Sequence, residues 1–246
     1  MPRFFIEKEN IDRENKSATL LGDDARHVAR SLRMAVGDAL TLSDGKGTEF
    51  SARLTKIRDE ECELEITDEH PAATEPKTEI TLFMAYPKGD KLEVVVQKAV
   101  ELGALRIVPF ISERCIKRPT DDKKDKQTAR LSKIAVEAAK QCGRGRLSEV
   151  SVPIDFKELL GRIQEFDLAL FCYEGENTEP IRNVLEKSKE ARSIAVIVGA
   201  EGGFSEAEAL QIVSSGAVSV GLGKRILRCE TAPTVALSMI MYATEM

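Results

Sequence analysis

The chain has 246 residues, which exceeds the size of one small domain and suits two unequal domains. Its 42% hydrophobic and 31% charged residues are typical of a globular protein in water, and its longest apolar runs, such as 194–198, fall far short of the roughly 20 residues of a membrane-spanning helix. The net charge of −5 argues against a simple basic nucleic-acid binder.

The first 70 residues predict short strands and turns around one helix. The β-prone segments are 18–21, 40–42, 50–57 and 62–67. Asp23 or Asp24 can cap a helix that runs to about Arg33, and Asp44-Gly45 is a strong hairpin signal. We expect a small β-barrel or sandwich, followed by a linker at 70–78, where two prolines disfavour both helix and sheet.

From Glu79 onward, strand-sized apolar segments alternate with helix-sized ones. The predicted strands are 80–86, 106–110, 149–153, 168–173, 194–198 and 218–221. The predicted helices run from about 90 to 103, from about 131 to 143, over 156–163 and 181–185, from a capping box at Ser205 and Glu208, and over 232–243. This alternation predicts a parallel sheet with helices on both faces.

The last predicted helix is apolar on nearly every side, with Val235, Leu237, Ile240 and Met241 among its residues. A helix of this kind is buried all round in a folded protein. We expect the sheet of its own domain to cover part of it and a partner subunit to cover the rest.

The charges are distributed unevenly along the chain. Residues 59–79 contain nine acidic residues and one lysine, whereas residues 112–146 contain eleven Lys or Arg against five Asp or Glu. The basic segment is either a phosphate-binding surface or a solvated charged face.

Cysteine and histidine usage argues against disulfides and metal chemistry. Five cysteines lie in apolar contexts without a CxxC pair, and only His27 and His70 are available as further soft ligands. The N-terminus lacks the apolar core of a signal peptide. We therefore expect reduced thiols, a cytoplasmic location and no metal.

Two segments of the second half are candidates for ligand binding. Residues 198–204 (VGAEGGF) follow a predicted strand, where glycines either let a ligand approach the backbone or simply form a turn. This loop is neither GxGxxG nor GKS/T, so a dinucleotide or nucleoside triphosphate is poorly supported. Residues 221–232 place cations, a carboxylate and a hydroxyl before the apolar helix, where Glu230 and Thr231 also suit its N-terminus.

Two further segments are weaker candidates. Residues 141–146 place two arginines on a glycine-containing turn, which suits contact with phosphate or a base edge, or else capping of helix carbonyls. The other weak candidate combines residues 98–103 with Pro109 and residues 112–114. Within it, Lys98 and Glu101 are three residues apart on a predicted helix, which also suits a simple ion pair in solvent.

In this order and context, the segments resemble the bacterial family that methylates N3 of a uridine in 16S ribosomal RNA, a member of the knotted SPOUT methyltransferase superfamily. The resemblance covers nearly the whole chain. Ala200 stands where the family usually has proline, and Cys229 where another residue is more usual. The matching segments are 2–5, His27 with 31–34 and 37–38, 88–90, 98–103, 134–144, 199–204 and 222–232.

The resemblance implies the architecture and the partners. It implies an α/β chain with a PUA-like RNA-binding β-barrel at 1–70, a linker at 71–78, and a SPOUT methyltransferase domain at 79–246 whose C-terminal part forms a trefoil knot. Knots are rare exceptions to the usual rules of chain connection. The implied cofactor is S-adenosyl-L-methionine, the implied substrate is 16S rRNA in the small ribosomal subunit, and the implied assembly is a homodimer built around the knot.

The resemblance also implies the site residues. Those expected to bind the cofactor are Cys172, Tyr173, Gly199, Glu201, Gly202, Leu222, Gly223, Ile226, Leu227, Arg228, Thr231 and Ala232. Those expected to bind RNA are Arg3, Arg26, His27, Arg30, Arg33, Lys88, Arg114, Lys117, Arg118, Arg144 and Arg146.

The chemistry suggests three catalytic residues. Uridine N3 must lose a proton before it attacks a methyl group, so a cation near O2 or O4 would stabilise the developing charge. We predict this role for Arg144, with Arg228 in reserve, and proton acceptance for Glu230. The alternatives are a SPOUT methyltransferase acting on another RNA or base atom, and a non-catalytic RNA-binding ribosome assembly factor.

Overall fold

The computed structural model describes residues 1–175 and 178–245. They form two compact units. The first unit combines Met1–Glu75 with the later segment Ala139–Leu147, and the second combines Pro76–Ala138 with Ser148–Met246.

The first unit is built on a six-stranded, mostly antiparallel sheet in the order β1-β4-β5-β6-β3-β2. The predicted hairpin turn is confirmed: Asp44 Oδ1 accepts hydrogen bonds from the backbone N–H groups of Lys46 (2.8 Å) and Thr48 (3.0 Å). The strands are β1 (Arg3–Phe5), β2 (Ile11–Asp12), β3 (Ser17–Leu21), β4 (Ala39–Ser43), β5 (Thr48–Ile57) and β6 (Glu61–Pro71).

One helix accompanies this sheet. Helix α1 (Gly22–Arg26) continues as a π-helical turn, His27–Ser31, and buries Ala25 and Val28 in the core of the unit. The rest of this core consists of apolar side chains that alternate along the strands, such as Phe50 and Leu64.

The start of the predicted linker is wrong in one detail. His70 and Pro71 still belong to β6, where they pair with Glu49 and Thr48 of β5. Beyond Glu65, β6 is in register with β5 alone, so this part of β6 has a free edge. A proline, which lacks a backbone N–H, is tolerated there because no second strand requires a hydrogen bond from that position.

The second unit confirms the predicted parallel sheet. Its strands follow the order β10-β8-β7-β13-β11-β14-β12, β9 also pairs with β8, and each of these pairings is parallel. The strands are β7 (Glu79–Ala85), β8 (Arg106–Ile111), β9 (Glu149–Val150), β10 (Ile154–Asp155), β11 (Leu168–Cys172), β12 (Glu179–Pro180), β13 (Ser193–Val198) and β14 (Val218–Gly221). The prediction of one strand over 149–153 is too long, since β9 ends at Val150.

The helices of the chain after β7 follow the predicted alternation. They are α2 (Lys91–Glu101), α3 (Asp121–Cys142), α4 (Phe156–Arg162), α5 (Ile181–Lys187), α6 (Glu206–Ser214) and α7 (Thr231–Glu245). The capping box is confirmed, because the Ser205 side chain accepts from the Glu208 backbone and the Glu208 side chain accepts from the Ser205 backbone.

Helix α7 is covered on one side only by the rest of the chain. Pro233, Leu237 and Ile240 are buried, whereas Tyr242 is 73% exposed and Met239 37% exposed. The expectation of burial on every side therefore does not hold for a single chain.

Within residues 1–175 and 178–245, no helix has the length and apolar character needed to cross a membrane. The same part of the chain contains no cluster of three or more His, Cys, Asp or Glu side chains suited to a metal ion.

Candidate active site

The second unit carries a cleft where three neighbouring strands end. Cys172 at the end of β11 is in register with Val198 of β13 and Val220 of β14, so the loops that follow these strands leave the sheet side by side. Together they enclose a cleft of about 720 Å³. The carboxyl ends of parallel strands are where open α/β sheets bind ligands, and this volume suits a ligand of cofactor size.

Most residues expected to bind the cofactor line this cleft, and two lie beside it. Gly202 and Thr231 are next to lining residues without lining the cleft themselves. The expected cofactor-binding residues that line it are Cys172, Tyr173, Gly199, Glu201, Leu222, Gly223, Ile226, Leu227, Arg228 and Ala232. Glu230, predicted to accept a proton, lines it as well.

The glycine loop that follows β13 is tightly constrained. A Cβ atom at Gly199 would lie 2.9 Å from Phe204 Cε2 and 3.1 Å from Gly203 Cα, and Gly203 has a φ of +60°. Phe204 itself packs edge-on against Phe171 at 4.9 Å between ring centroids. Side chains are therefore excluded at Gly199 by packing, while left-handed backbone favours glycine at 203.

The loop that follows β14 supplies positive charge to the cleft. Lys224, Arg225 and Arg228 are exposed and line the cleft, and Gly223 bends the chain with a φ of +123°. The Arg228 carbonyl accepts the backbone N–H groups of Thr231 and Ala232, which starts α7. Lys224 and Arg225 were not predicted as site residues individually, although they belong to the predicted 221–232 segment.

Lys91 is a site residue that the sequence did not reveal. It is the first residue of α2, and its Nζ lies 2.8 Å from Glu201 Oε1 and 3.7 Å from Glu230 Oε2. The Glu201 carboxylate also accepts the backbone N–H of Lys88 at 3.2 Å. Its position in the segment that follows the carboxyl end of β7 is a signal that could have indicated this role.

The two glutamates are held in their charged form. Burial raises the pKa of Glu201, but hydrogen bonds from Lys91 and from backbone N–H groups outweigh it and lower that pKa. The pKa of Glu230 is lowered chiefly by a hydrogen bond from its own backbone N–H, with help from Cys229, Lys91 and Arg228. The hydrogen bond to Glu201 is the main cause that raises the pKa of Lys91.

The pKa is raised at both cysteines of the cleft. Burial, then the hydrogen bond to Glu230 and the charge of Glu201, raises the pKa of Cys229 to about 12. Its Sγ lies 3.2 Å from Glu230 Oε2. Burial likewise raises the pKa of Cys172 to about 12. Because the thiolate is the nucleophilic form, neither side chain is suited to nucleophilic attack at neutral pH.

A loop after β8 is fastened to the glycine loop. Arg114 Nη1 donates to the Gly202 carbonyl at 3.0 Å, and the Glu113 backbone N–H donates to Glu208 Oε1 at 2.7 Å. Arg118, another predicted RNA-binding residue, donates to the Glu113 carbonyl at 3.3 Å. Arg114 lines the cleft, so this loop contributes a cation to it.

Lys88 and Lys117, two other cations of the second unit expected to bind RNA, are exposed. The Lys117 ammonium lies 5.9 Å from the centre of the Tyr86 ring, a contact within cation–π range.

Arg144 lies in the first unit and is not among the residues that line the cleft. Its side chain is only 4% exposed, and its Nη2 donates to Glu75 Oε2 at 2.8 Å. Glu75 Oε1 also accepts the backbone N–H groups of Gly145 (2.8 Å) and Arg146 (3.0 Å). Arg144 is therefore part of a buried network that holds the turn after α3.

Three of the other six predicted RNA-binding residues of the first unit are shown paired with acids. Arg3 pairs with Glu49, Arg26 with Asp23 and Glu60, and Arg30 with Asp59. His27 and Arg33 are exposed, and Arg146 is partly exposed. A phosphate would have to compete with these carboxylates, which are themselves exposed around Arg26 and Arg30.

Comparison with known proteins places the chain in a family. Residues 74–241 match the family described as an RNA methyltransferase domain, and residues 20–67 match an RNA methyltransferase PUA domain. Ribosomal RNA small subunit methyltransferase E of Bacillus subtilis is 33% identical over 252 aligned residues, covering 100% of this chain and 98% of that protein. The protein of that name from Synechocystis is 32% identical, covering 91% of this chain and 72% of its own length.

A solved structure agrees with these relatives. The crystal structure of a ribosomal RNA small subunit methyltransferase E from Neisseria gonorrhoeae, bound to S-adenosyl methionine, has 32% identity and a TM-score of 0.87, covering 99% of this chain and 98% of that chain. Fold and cleft thus define an RNA methyltransferase with a PUA domain. More narrowly, the chain belongs to the ribosomal RNA small subunit methyltransferase E family, which confirms the resemblance found in the sequence.

Proposed function

We propose that this protein transfers a methyl group from S-adenosyl-L-methionine to N3 of a uridine in 16S ribosomal RNA. The main support for this proposal is the cleft at the ends of β11, β13 and β14, which is formed by a glycine loop and a cationic loop. The chain that contains this cleft belongs to a family of RNA methyltransferases. A ribosomal substrate would place the protein in the cytoplasm.

The residues of the cleft fit an adenosyl sulfonium. The cleft presents loop backbone at Gly199, Leu222 and Leu227, which can bind an adenosyl group through main-chain N–H and carbonyl groups. The ionised carboxylates of Glu201 and Glu230 supply negative charge for a cationic ligand. No metal is needed for this binding.

The RNA contacts are proposed from the family and from charge. The relatives are named for the small-subunit ribosomal RNA, and the first unit matches a PUA domain of RNA methyltransferases. Arg30 and Arg33 are exposed there, and Arg114, Lys224 and Arg225 line the cleft of the second unit. Such cations bind phosphates and give affinity with little choice of sequence.

The reaction requires a proton acceptor and a cation. When bound, the cofactor supplies a methyl group on positively charged sulfur, and it leaves as the neutral thioether. Glu230 is ionised and lines the cleft, so it can accept the proton that N3 loses as the methyl group arrives. Arg228, exposed in the same cleft, can stabilise the negative charge that spreads to O2 and O4 of the base.

Arg228 is a better candidate than Arg144 for this second role. Arg144 is buried and bound to Glu75, whereas Arg228 lines the cleft. We therefore assign Arg144 to the folding of the 141–146 turn. A base that is stacked in the RNA would also have to be extruded into the cleft.

The trefoil knot and the homodimer are further parts of the proposal. The exposed side of α7, with Met239 and Tyr242, supports a second copy of this chain as its cover. Apolar side chains of this size on the surface of a helix favour burial in an interface.

The proposed activity is tested with small subunits from a strain that lacks the gene. Purified protein and S-adenosylmethionine should convert one uridine of their 16S rRNA to 3-methyluridine, identified by digestion and mass spectrometry. A different methylated nucleoside would support a methyltransferase of other specificity. Tight RNA binding without any methylation, and without stabilisation by S-adenosylhomocysteine, would support an assembly factor.

A further inference from the structure

The segment from Lys88 to Lys91, which ends on the first residue of α2, contacts both ligand-binding loops of the cleft. The backbone N–H of Lys88 and the side chain of Lys91 hold Glu201 of the glycine loop, and Lys91 continues to Glu230 of the second loop. One ammonium group is therefore shared by two carboxylates that are 29 residues apart in the chain.

The burial of these groups makes the contact stronger than an ordinary surface pair. The side chains are only partly exposed, at 34% for Lys91, 29% for Glu201 and 24% for Glu230. Coulomb attraction grows as water is excluded, so a partly buried pair is worth more than an exposed one. Two ionised carboxylates without a shared cation would repel each other.

We propose that Lys91 is a positioning residue that keeps the glycine loop and the 222–230 loop at the spacing the cofactor requires. It acts through Glu201 and Glu230, because it neutralises one of their two negative charges and leaves one to face a cationic ligand. This inference rests on the proposed function, since it concerns the binding of S-adenosylmethionine.

The test is calorimetric measurement of S-adenosylhomocysteine binding to the full-length protein. Lys91→Met should weaken affinity on the order of tenfold, and Lys91→Arg should restore most of it, because Arg keeps the charge. The matched control is Lys157→Met, which removes an exposed lysine from the first turn of α4 and should leave affinity unchanged.

A double-mutant cycle separates positioning from independent effects. Because Lys91 acts through Glu201, the double variant Lys91→Met/Glu201→Gln should bind with much less loss than the product of the two single losses. The proposal would be overturned if the loss of affinity in the double variant equalled the product of the two single losses. Wild-type affinity in Lys91→Met would also overturn it. If Lys91→Met does not fold, the cycle is measured with Glu201→Gln, Glu230→Gln and their double variant. A loss of affinity in that double variant equal to the product of the two single losses would overturn the proposal equally.

A second ligand distinguishes positioning from direct contact with the amino-acid part of the cofactor. Methylthioadenosine lacks that part, so loss of loop spacing should weaken its binding to Lys91→Met as well. Unchanged affinity for methylthioadenosine would overturn the proposal in favour of direct contact. Failure of the wild-type protein to bind either ligand would instead contradict the proposed function itself.

Discussion

Glu75 lies within the predicted linker and holds the turn after α3 through Arg144, Gly145 and Arg146. Burial raises the pKa of Glu75, but the hydrogen bond and charge of Arg144 and two backbone N–H groups outweigh burial and lower it. The pair joins residues 69 positions apart and is nearly buried on both sides. Sequence periodicity cannot indicate such a contact, which explains why Arg144 was predicted to be catalytic and Glu75 was not predicted at all.

Replacing Arg144 tests this assignment. Arg144→Met should lower the free energy of unfolding by about 3 kcal/mol or more, because it leaves a buried carboxylate without its cation. Cofactor affinity should stay within about twofold, since the residue does not line the cleft. Urea unfolding and calorimetry check the two statements. Wild-type stability together with lost turnover would instead support a catalytic Arg144.

The same pair predicts a pH dependence. A carboxylate whose folded pKa is lowered stabilises the protein above its ordinary pKa of 4.5, and this contribution is lost as the pH falls through the folded value. The difference in stability between wild type and Glu75→Gln should therefore shrink as the pH is lowered below 4.5. Urea unfolding at a series of pH values checks this, and a difference that grows toward acid would contradict it.

Gly199 is the residue whose missing side chain matters most for the cleft. Gly199→Ala would place a Cβ 2.9 Å from Phe204 Cε2, so the loop must shift, and S-adenosylhomocysteine affinity should fall by about tenfold or more. The control is Gly161→Ala in α4, where nothing lies within 4 Å of the new Cβ. That variant should bind normally and gain up to about 1 kcal/mol of stability. Equal affinities in both variants would show that the glycine loop does not bind the cofactor.

At the scale of elements, the sequence predicts the sheet of the second unit well. Continuous apolar strands such as 80–86 and 194–198 indicate burial on both faces, and the structure places them together at the centre as β7 and β13. The early end of β9 at Val150, the short strand β10 and the inclusion of Ala139–Leu147 in the first unit could not be predicted. These features depend on contacts between segments distant in sequence, and local periodicity reports only local structure.

The exposed side of helix α7 allows a test of the proposed dimer. If its exposed side is a dimer interface, Tyr242→Glu should shift the protein from dimer to monomer in analytical ultracentrifugation, because an interface that buries a charge without a partner is destabilised. Leu210→Glu on α6, where Leu210 is 69% exposed, is the control and should leave the mass unchanged. A wild-type monomer, or a Tyr242→Glu dimer, would contradict the proposed interface.

In the whole molecule, we expect RNA affinity and cofactor affinity to depend on different units. The double variant Arg30→Glu/Arg33→Glu in the first unit should weaken binding to 16S rRNA. The slope of log affinity against log salt concentration should become shallower by about one per lost phosphate contact. Affinity for S-adenosylhomocysteine should not change, because the cleft lies in the other unit. Lys8→Glu, at another exposed position of the first unit, is the control. Parallel loss of both affinities would contradict this separation.

The most direct test of the proposed activity is mass spectrometry of 16S rRNA from cells with and without the gene. We expect that deletion removes one 3-methyluridine, that the wild-type gene restores it, and that Gly199→Ala restores it poorly. An unchanged set of modified nucleosides in the deletion strain, or the loss of a methyl group from another base or atom, would contradict it.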